Sequence, residues 1–401
     1  MSLIHPDDVR TRLLEGVIPL AGETLPLTAC AGRVLTAPLI ARLTQPPFAA
    51  SAMDGWAMRF ADLPGPFKIV GASAAGHAFT GTLKPGETVR IFTGAVVPEG
   101  ADTVIVQEEV SATETDATLI GEGPPRLGAH IRQKGQDFAE GTALIPEGTE
   151  LSARHLGLAA AAGHGEALVR RRPHVTLVAT GDELVPPGQL PGPGQIVSAN
   201  GVMLKALLEE SGAEVTDLGI LPDDRSYIAS TLKAVAAQTD LLITIGGASV
   251  GDHDLIIPAL SDLGAALDFW KIALRPGKPL IAGRLGTTRI LGLPGNPVSA
   301  YVCALLFAGP LLRKMGGLDP AIPTVQRALA TPLASTGPRR DHLRARLLPE
   351  GRVEAFLGQD SAQLAKLAAA DALILRDAGS PPAKAGEMVN CIVLDKFPYV
   401  A

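Results

Sequence analysis

The chain has 401 residues and a formal charge of −6, with 46% hydrophobic and 19% charged residues. That length exceeds one compact core, so about two to four domains are expected. An acidic balance argues against nonspecific nucleic-acid binding, which needs a basic face to displace counterions, and the apolar share excludes a disordered or fibrous chain.

The first residues, "MSLIHPDDVR", carry charge where a signal peptide needs an apolar core. Residues 1–45 read as a short helix followed by Pro-punctuated segments such as "AGRVLTAPLIARLTQPPF". Together with 139–172 they are expected to form an elongated connecting or dimerisation domain. From 46 to 138, runs such as "FKIVGA", "ETVRIF" and "ADTVIVQEEV", separated by Gly/Pro turns, predict a small β domain. "GTALIPEGTELSARHLGLAAAAGHG" reads as strand, turn and helix, and "RRRP" at 170–173 marks a boundary.

Beyond that boundary strands and helices alternate. "HVTLVAT", "EVTDLGIL" and "DLLITIGG" read as strands, and "GVMLKALLEESG", "RSYIASTLKAVAAQ" and "DLIIPALSDLG" as helices. The alternation predicts a doubly wound, mainly parallel α/β domain over 173–322, with ligands gathered at the carboxyl ends of its strands. "PVSAYVCALLFAGPLL" at 297–312 falls short of the ~20 residues of a membrane span and contains Gly309-Pro310. Three cysteines, Cys30, Cys303 and Cys391, are an odd count without C-x-x-C spacing. They are expected to be core residues of a protein in a reducing compartment, which makes the cytoplasm the expected location. From 323 to 401, "LRARLLP", "VEAFLG", "DALILR" and "NCIVLD" predict a C-terminal β-barrel-like domain. The fold class is multidomain α/β plus β.

The chemistry concentrates at strand ends. In "LITIGGASVGDHD", residues 242–254, a β-branched strand feeds a glycine-rich loop in which Gly246 and Gly251 satisfy half of a phosphate-binding motif. The Lys that should follow is absent and Asp252, His253 and Asp254 stand there, which disfavours an ordinary nucleotide triphosphatase. The loop glycines, Gly247 included, and Ser249 are candidates to hold phosphate oxygens, and Asp252 or Asp254 to bind Mg²⁺. A tight turn followed by an Asp helix cap is the alternative.

"WKIALRPGKP" sets Lys271, Arg275 and Lys278 on a strand and the turn after it, placed either to converge on an anion or to cover a solvated face. "ILGLPGNPVSAYVCALL" runs through Pro294-Gly295-Asn296-Pro297 into an apolar helix that also carries Ser299. Asn296 is the expected N-cap and Pro297 the first helical residue. Such a start offers unpaired amides to a phosphate, unless it is plain capping. "ATGDELV" brings Asp182 and Glu183 to a strand end, and "LPDDRS" brings Asp223 and Asp224. One metal-phosphate crevice explains these acids together. In the first half, "FAASAMDGWAM" carries Asp54, "RIFTGAVVPEGADTVI" Thr93 and Gly94, and "IRQKGQD" Arg132 and Asp137; turn chemistry alone also accounts for each. With no H-E-x-x-H and no G-x-S-x-G, zinc and serine hydrolases are set aside.

Taken in order, "SAMDGWA", "RIFTGAVVPEGAD", "RQKGQD", "TGDEL", "GGASVGDHD", "RPGKP" and "GLPGNPVSA" resemble the molybdopterin molybdenumtransferase family, the MoeA and gephyrin E-domain group. The match runs from about residue 50 to 315. The resemblance implies an L-shaped homodimer whose 173–322 unit binds molybdopterin, and an enzyme that inserts molybdate into adenylylated molybdopterin with Mg²⁺-dependent release of AMP. It implies catalytic roles for Asp54, Glu183, Asp223, Asp254, Lys271 and Arg275. It implies substrate contacts at Thr93, Arg132, Gly246, Gly247, Ser249, Gly251, Lys278, Pro294, Asn296, Pro297, Ser299 and, more weakly, Ser361. The metal would sit on Asp223, Asp252 and Asp254, with spacing leaving Asp223 and Asp224 undecided. Expected partners are the small-molecule substrates, a second copy of the chain, and transient contact with molybdopterin adenylyltransferase and other cofactor-biosynthesis proteins, with neither nucleic acid nor membrane. Trp56 stands where the family commonly has Tyr, and Arg275 where it usually has Lys. The rivals are a peptide-holding scaffold, as in the gephyrin relatives, and the related adenylyltransferase.

Overall fold

The structure is a computed structural model that describes residues 3–246 and 255–394. The chain divides into two compact units. One comprises 24–31 and 35–169, the other 1–23, 32–34 and 170–401. The Arg-rich run at 170–172 falls at the junction.

In the 24–169 unit, the alternating runs assemble a six-stranded sheet from Gly55–Met58, Phe67–Ser73, Glu87–Ile91, Thr103–Val106, Val110–Ala112 and Asp116–Leu119. Trp56, Met58, Phe67 and Ile105 are buried on one of its cores, Ala57, Ile91 and Val104 on another. Gly55 lies so close to the Ile105 backbone that no Cβ fits there. A third core, with Cys30, Leu35, Phe138, Ile145 and Leu151, packs the helix Ala153–Ala161.

In the other unit the strands of the main α/β sheet and the short strand beside it are β1 (His174–Thr180), β2 (Glu214–Leu221), β3 (Leu241–Ile245), β4 (Ala266–Lys271), β5 (Leu274–Arg275), β6 (Pro279–Leu285) and β7 (Thr288–Leu293). All but β5 form one sheet, ordered β2-β1-β3-β7-β6-β4. Pairings β2/β1, β1/β3 and β3/β7 are parallel, whereas β7/β6 and β6/β4 are antiparallel. The mainly parallel expectation therefore holds for the half that carries the strand ends of interest. β3 is buried along its whole length, which explains why its sequence is an unbroken apolar run without alternation.

The longer helices of this unit are α1 (Pro6–Leu14), α2 (Asn200–Glu210), α3 (Arg225–Ala236), α4 (Ile256–Asp262) and α5 (Pro297–Met315). On α2, Leu204, Leu207 and Leu208 recur at helical spacing and face the core, and the chain leaves through Gly212 at φ +89°. α5 runs straight through Gly309-Pro310, longer than its sequence suggested. A wide turn over 304–308 lets the Gly309 N–H reach back to Ala304 O, five residues away, before the proline ring enters. Its most apolar window has mean hydropathy 1.3, yet 89% of that window is buried inside the protein. α5 is thus a core helix, and Cys303 on it is fully buried, as are Cys30 and Cys391.

The C-terminal strands are β8 (Val325–Ala328), β9 (Arg340–Leu347), β10 (Val353–Ala355), β11 (Ala372–Arg376) and β12 (Met388–Val393). They pair antiparallel in the order β10-β9-β11-β12-β8. A bridge between Leu329 and Val353, with Ala330 N–H on Val353 O at 2.8 Å, brings the β8 end back to β10. That closure is the barrel-like feature. β5 also joins β9, in parallel, pairing Leu274 with Arg340 and Arg275 with Asp341.

Candidate active site

β1 leads to β2 on one side and its neighbour β3 lies on the other, so the strand order reverses beside β1. In an open α/β sheet that reversal leaves a crevice at the carboxyl ends. A cavity of about 630 Å³ occupies this end, lined by Glu183 after β1, Gly246 after β3, Pro294, Gly295, Asn296 and Ser299 after β7, and Arg275, Gly277 and Lys278 between β5 and β6. Arg339, Gln359 and Ser361 complete the wall from the C-terminal part. Of the expected residues in this unit, Asp223, Lys271 and Pro297 do not line it. Gly247, Ser249, Gly251, Asp252 and Asp254 lie outside the described residues.

Backbone constraints shape the floor. Gly246 has φ +84° and donates to Leu293 O at 3.1 Å, tying the β3 exit to the β7 end. Asn200 Nδ2 donates to Gly295 O at 2.6 Å and pins the next turn. Gly277 combines φ +110° with a position where a Cβ would meet Cys303 Sγ at 2.6 Å, so no side chain is admitted at that point of the turn. Burial pushes that thiol up to about 12, leaving Cys303 a packing group.

The start of α5 behaves only partly as expected. Asn296 is the N-cap and Pro297 the first helical residue, but the Asn296 side chain makes no capping bond. The Val298 N–H, expected to be open to a ligand, donates instead to Ser361 O at 3.1 Å. Ser299 N–H meets no acceptor among the described residues and remains the amide available to an anion.

Ser361 is carried on a loop that sequence reasoning left almost blank, and Arg344 on β9 holds it. This arginine is 1% exposed. Its Nη1 donates to Gln363 O and its Nη2 to Asp360 O, each at 2.9 Å, while Nε reaches Gln359 Oε1 at 3.2 Å. The Gln359 amide is used up in return, donating to Arg344 O and Phe356 O at 3.1 and 2.9 Å. Gln359 is thus a wall residue with a saturated side chain. The cation on this wall is Arg339, and no motif distinguished it from the adjacent Arg340, which pairs with Asp7 and Asp377.

The acids separate by role. The Asp224 carboxylate caps α3, accepting from Ser226 Oγ at 2.6 Å and from the Ser226 and Tyr227 amides at 2.8 and 3.0 Å. The Ser226 hydroxyl and then the Tyr227 amide hold it below the usual carboxylate range. Asp223 is exposed beside it. Glu183 folds back over Gly181, whose φ is +142°. Among the described residues no three acid, His or Cys side chains gather closely enough to hold a metal ion.

In the 24–169 unit, Asp54 and Thr93 come together although 39 residues apart. Asp54 Oδ1 accepts from the Thr93 amide at 2.7 Å and the Thr93 hydroxyl at 2.8 Å, and these two bonds lower its pKa. Arg90 lies over the rings of Trp56 and Phe92, 5.4 and 5.1 Å from their centres. Arg132 sits on a two-residue strand paired with Ala50–Ser51, in the same unit.

Three family models match the chain in series. They are the MoeA N-terminal region (domain I and II) over 4–163, the "Probable molybdopterin binding domain" over 176–314, and the MoeA C-terminal region (domain IV) over 326–394. A molybdopterin molybdenumtransferase of Haemophilus influenzae is 39% identical over 314 residues, 78% of this chain and 77% of that protein. Molybdopterin molybdenumtransferase 2 of Mycobacterium tuberculosis is 36% identical over 365 residues, 88% and 90% of the two chains. Two crystal structures of the molybdopterin biosynthesis protein MoeA from Pyrococcus horikoshii superpose with TM-scores of 0.82 and 0.80 at 27% and 25% identity. Each covers 98% of this chain, and 99% and 100% of its own. With similarity on that scale along its whole described length, the chain belongs to the molybdopterin molybdenumtransferase family, enzymes of molybdenum cofactor biosynthesis.

Proposed function

We propose that this enzyme inserts molybdate into adenylylated molybdopterin and releases AMP with Mg²⁺ present. The observation that carries the reading is the cavity itself, where Arg275, Lys278 and Arg339 stand with the Ser299 amide at the carboxyl ends of parallel strands. Three cations and a helix start offset the charge of a dianionic oxyanion and of a phosphate end. Its size suits a substrate of several rings and groups better than a lone ion.

In this reading Arg275 and Lys278 hold the oxyanion and phosphate oxygens. Ser361 and Ser299 orient them, and Glu183, on the opposite side of the β1 exit, accepts hydrogen bonds from the substrate. Pro294, Gly246 and Asn296 shape the floor. Lys271, Arg132 and the Asp54–Thr93 pair keep the roles that the resemblance implies, as do Gly247, Ser249 and Gly251. Mg²⁺ would be held by Asp223, Asp252 and Asp254, and when bound it offsets phosphate charge. Of that set only Asp223 is described, so the described residues do not by themselves make a metal site. The four-part domain division, the homodimer, the cytoplasmic location and contact with the adenylyltransferase belong to the same reading.

Purified protein incubated with adenylylated molybdopterin, Mg²⁺ and molybdate should release AMP and yield a product that activates a molybdenum-free apoenzyme. Binding of the substrate with no AMP released would leave the scaffold reading in its place.

A further inference from the structure

We infer that Asp341 is a positioning residue for anion binding, acting through Arg275. The inference rests on the proposed use of the cavity. The short strand β5 pairs in parallel with β9 and sets Arg275 directly beside Asp341. Arg275 Nη2 donates to Asp341 Oδ2. The two ends of this pair are in different surroundings, the Asp341 side chain being 4% exposed and the Arg275 side chain 49%.

That asymmetry decides which residue serves the other. A buried carboxylate is costly unless it is paired, and among the described residues Arg275 is the side chain that donates to Asp341. Asp341 therefore holds the guanidinium wherever the backbone of β9 places the carboxylate. Arg275 spends one of its terminal nitrogens on this contact. Its Nη1 and Nε meet no acceptor among the described residues, and the residue lines the cavity. A planar fork with one tine fixed keeps its remaining donors in a set direction. The ordering of a long, rotamer-rich side chain is then completed on folding and is not charged to ligand binding. A lysine could reach both groups, but its three rotatable donors on one nitrogen lack the fixed direction of the planar fork.

The test is a double-mutant cycle read with molybdate as the probe, by isothermal titration and as KM in the AMP-release assay. Asp341→Leu removes the acceptor while leaving Arg275 free to be solvated. It should weaken molybdate binding about 5- to 10-fold, the size expected for an arginine that must be ordered by the ligand. Asp341→Asn keeps an acceptor at the same place and should stay within about 2-fold of the parent. In an Arg275→Met background, Asp341→Leu should cause no further loss. Unchanged binding in Asp341→Leu, equal losses in the Leu and Asn variants, a loss that persists without Arg275, or no molybdate binding by the parent would each overturn the inference. Molybdate binding with the expected pattern but without AMP release would overturn the proposed reaction and leave the positioning role standing.

Discussion

Replacing Arg344 with Met tests whether the wall loop is held by this side chain or merely lies against it. The substitution keeps an unbranched apolar stem and deletes the donors to Gln359 Oε1, Gln363 O and Asp360 O. A hydrogen bond from a charged donor contributes about 1.5–3 kcal/mol. The loop is partly exposed, so its freed carbonyls regain water, and burial of the arginine charge is relieved at the same time. A net loss of about 3–5 kcal/mol in local stability is therefore expected, mostly below the gross contribution of about 4.5–9 kcal/mol from three such bonds. The reporter is the Val298 amide, which donates to Ser361 O and is protected only while the loop stays docked. Native-state hydrogen exchange should show this amide opening at least about 100-fold more often, since each 1.4 kcal/mol is tenfold. KM for substrate should rise more than kcat falls. A Val298 amide with unchanged protection and a stability loss under about 1 kcal/mol would show that the loop holds itself.

Gly277→Ala forces a Cβ against Cys303 Sγ at a positive φ, and should lower thermal stability and raise KM, with Cys303→Ala recovering part of the packing loss but not the backbone strain. His342 is buried and its pKa is pushed down to about 3 by that burial, with Arg340 adding to the shift. The native state therefore binds fewer protons than an unfolded chain between about pH 3 and 6.5, so stability should fall as pH drops through that window, by up to about 1.4 kcal/mol per unit. Denaturant midpoints from pH 7 to 5 should show a shallower slope in His342→Phe, and an identical slope would refute the assignment. Asp224→Ala removes the α3 cap and should cost about 1 kcal/mol, a loss that Asp224→Asn largely avoids. Lys278→Ala should raise KM for molybdate while leaving the melting temperature within a degree or so of the parent, because Lys278 is an exposed group on the cavity rim.

What could be read in the sequence was whatever depends on neighbours along the chain. "HVTLVAT" and "EVTDLGIL" form strands over those same residues, and Asn296-Pro297 begins a helix, because strand runs and helix starts are written locally. The gathering of Glu183, Gly246 and Pro294 at one end followed from parallel strands sharing a direction. Three features escaped. Ser361 docks on Val298 through backbone atoms, which leave no mark in residue types. Arg339 and Arg340 are adjacent, and only the way the chain bends at Arg339 into β9 sends one to the cavity and the other to Asp7 and Asp377. Gly309-Pro310 looked like a stop because the sequence does not announce the wide turn that admits the ring. "LPDDRS" left Asp223 and Asp224 undecided, and only the observed bonds to Ser226 and Tyr227 mark Asp224 as the cap.

The pairing of β5 with β9 means that the C-terminal sheet is no detachable accessory to the α/β half. A fragment ending at 322 would leave Leu274 and Arg275 with no edge to lie along, and would take Arg339, Gln359 and Ser361 from around the same hollow. Engineers who graft this α/β half onto another protein should therefore carry residues 323–394 with it, since the cavity proposed to take the substrate is lined from two stretches of chain that neither fragment contains alone.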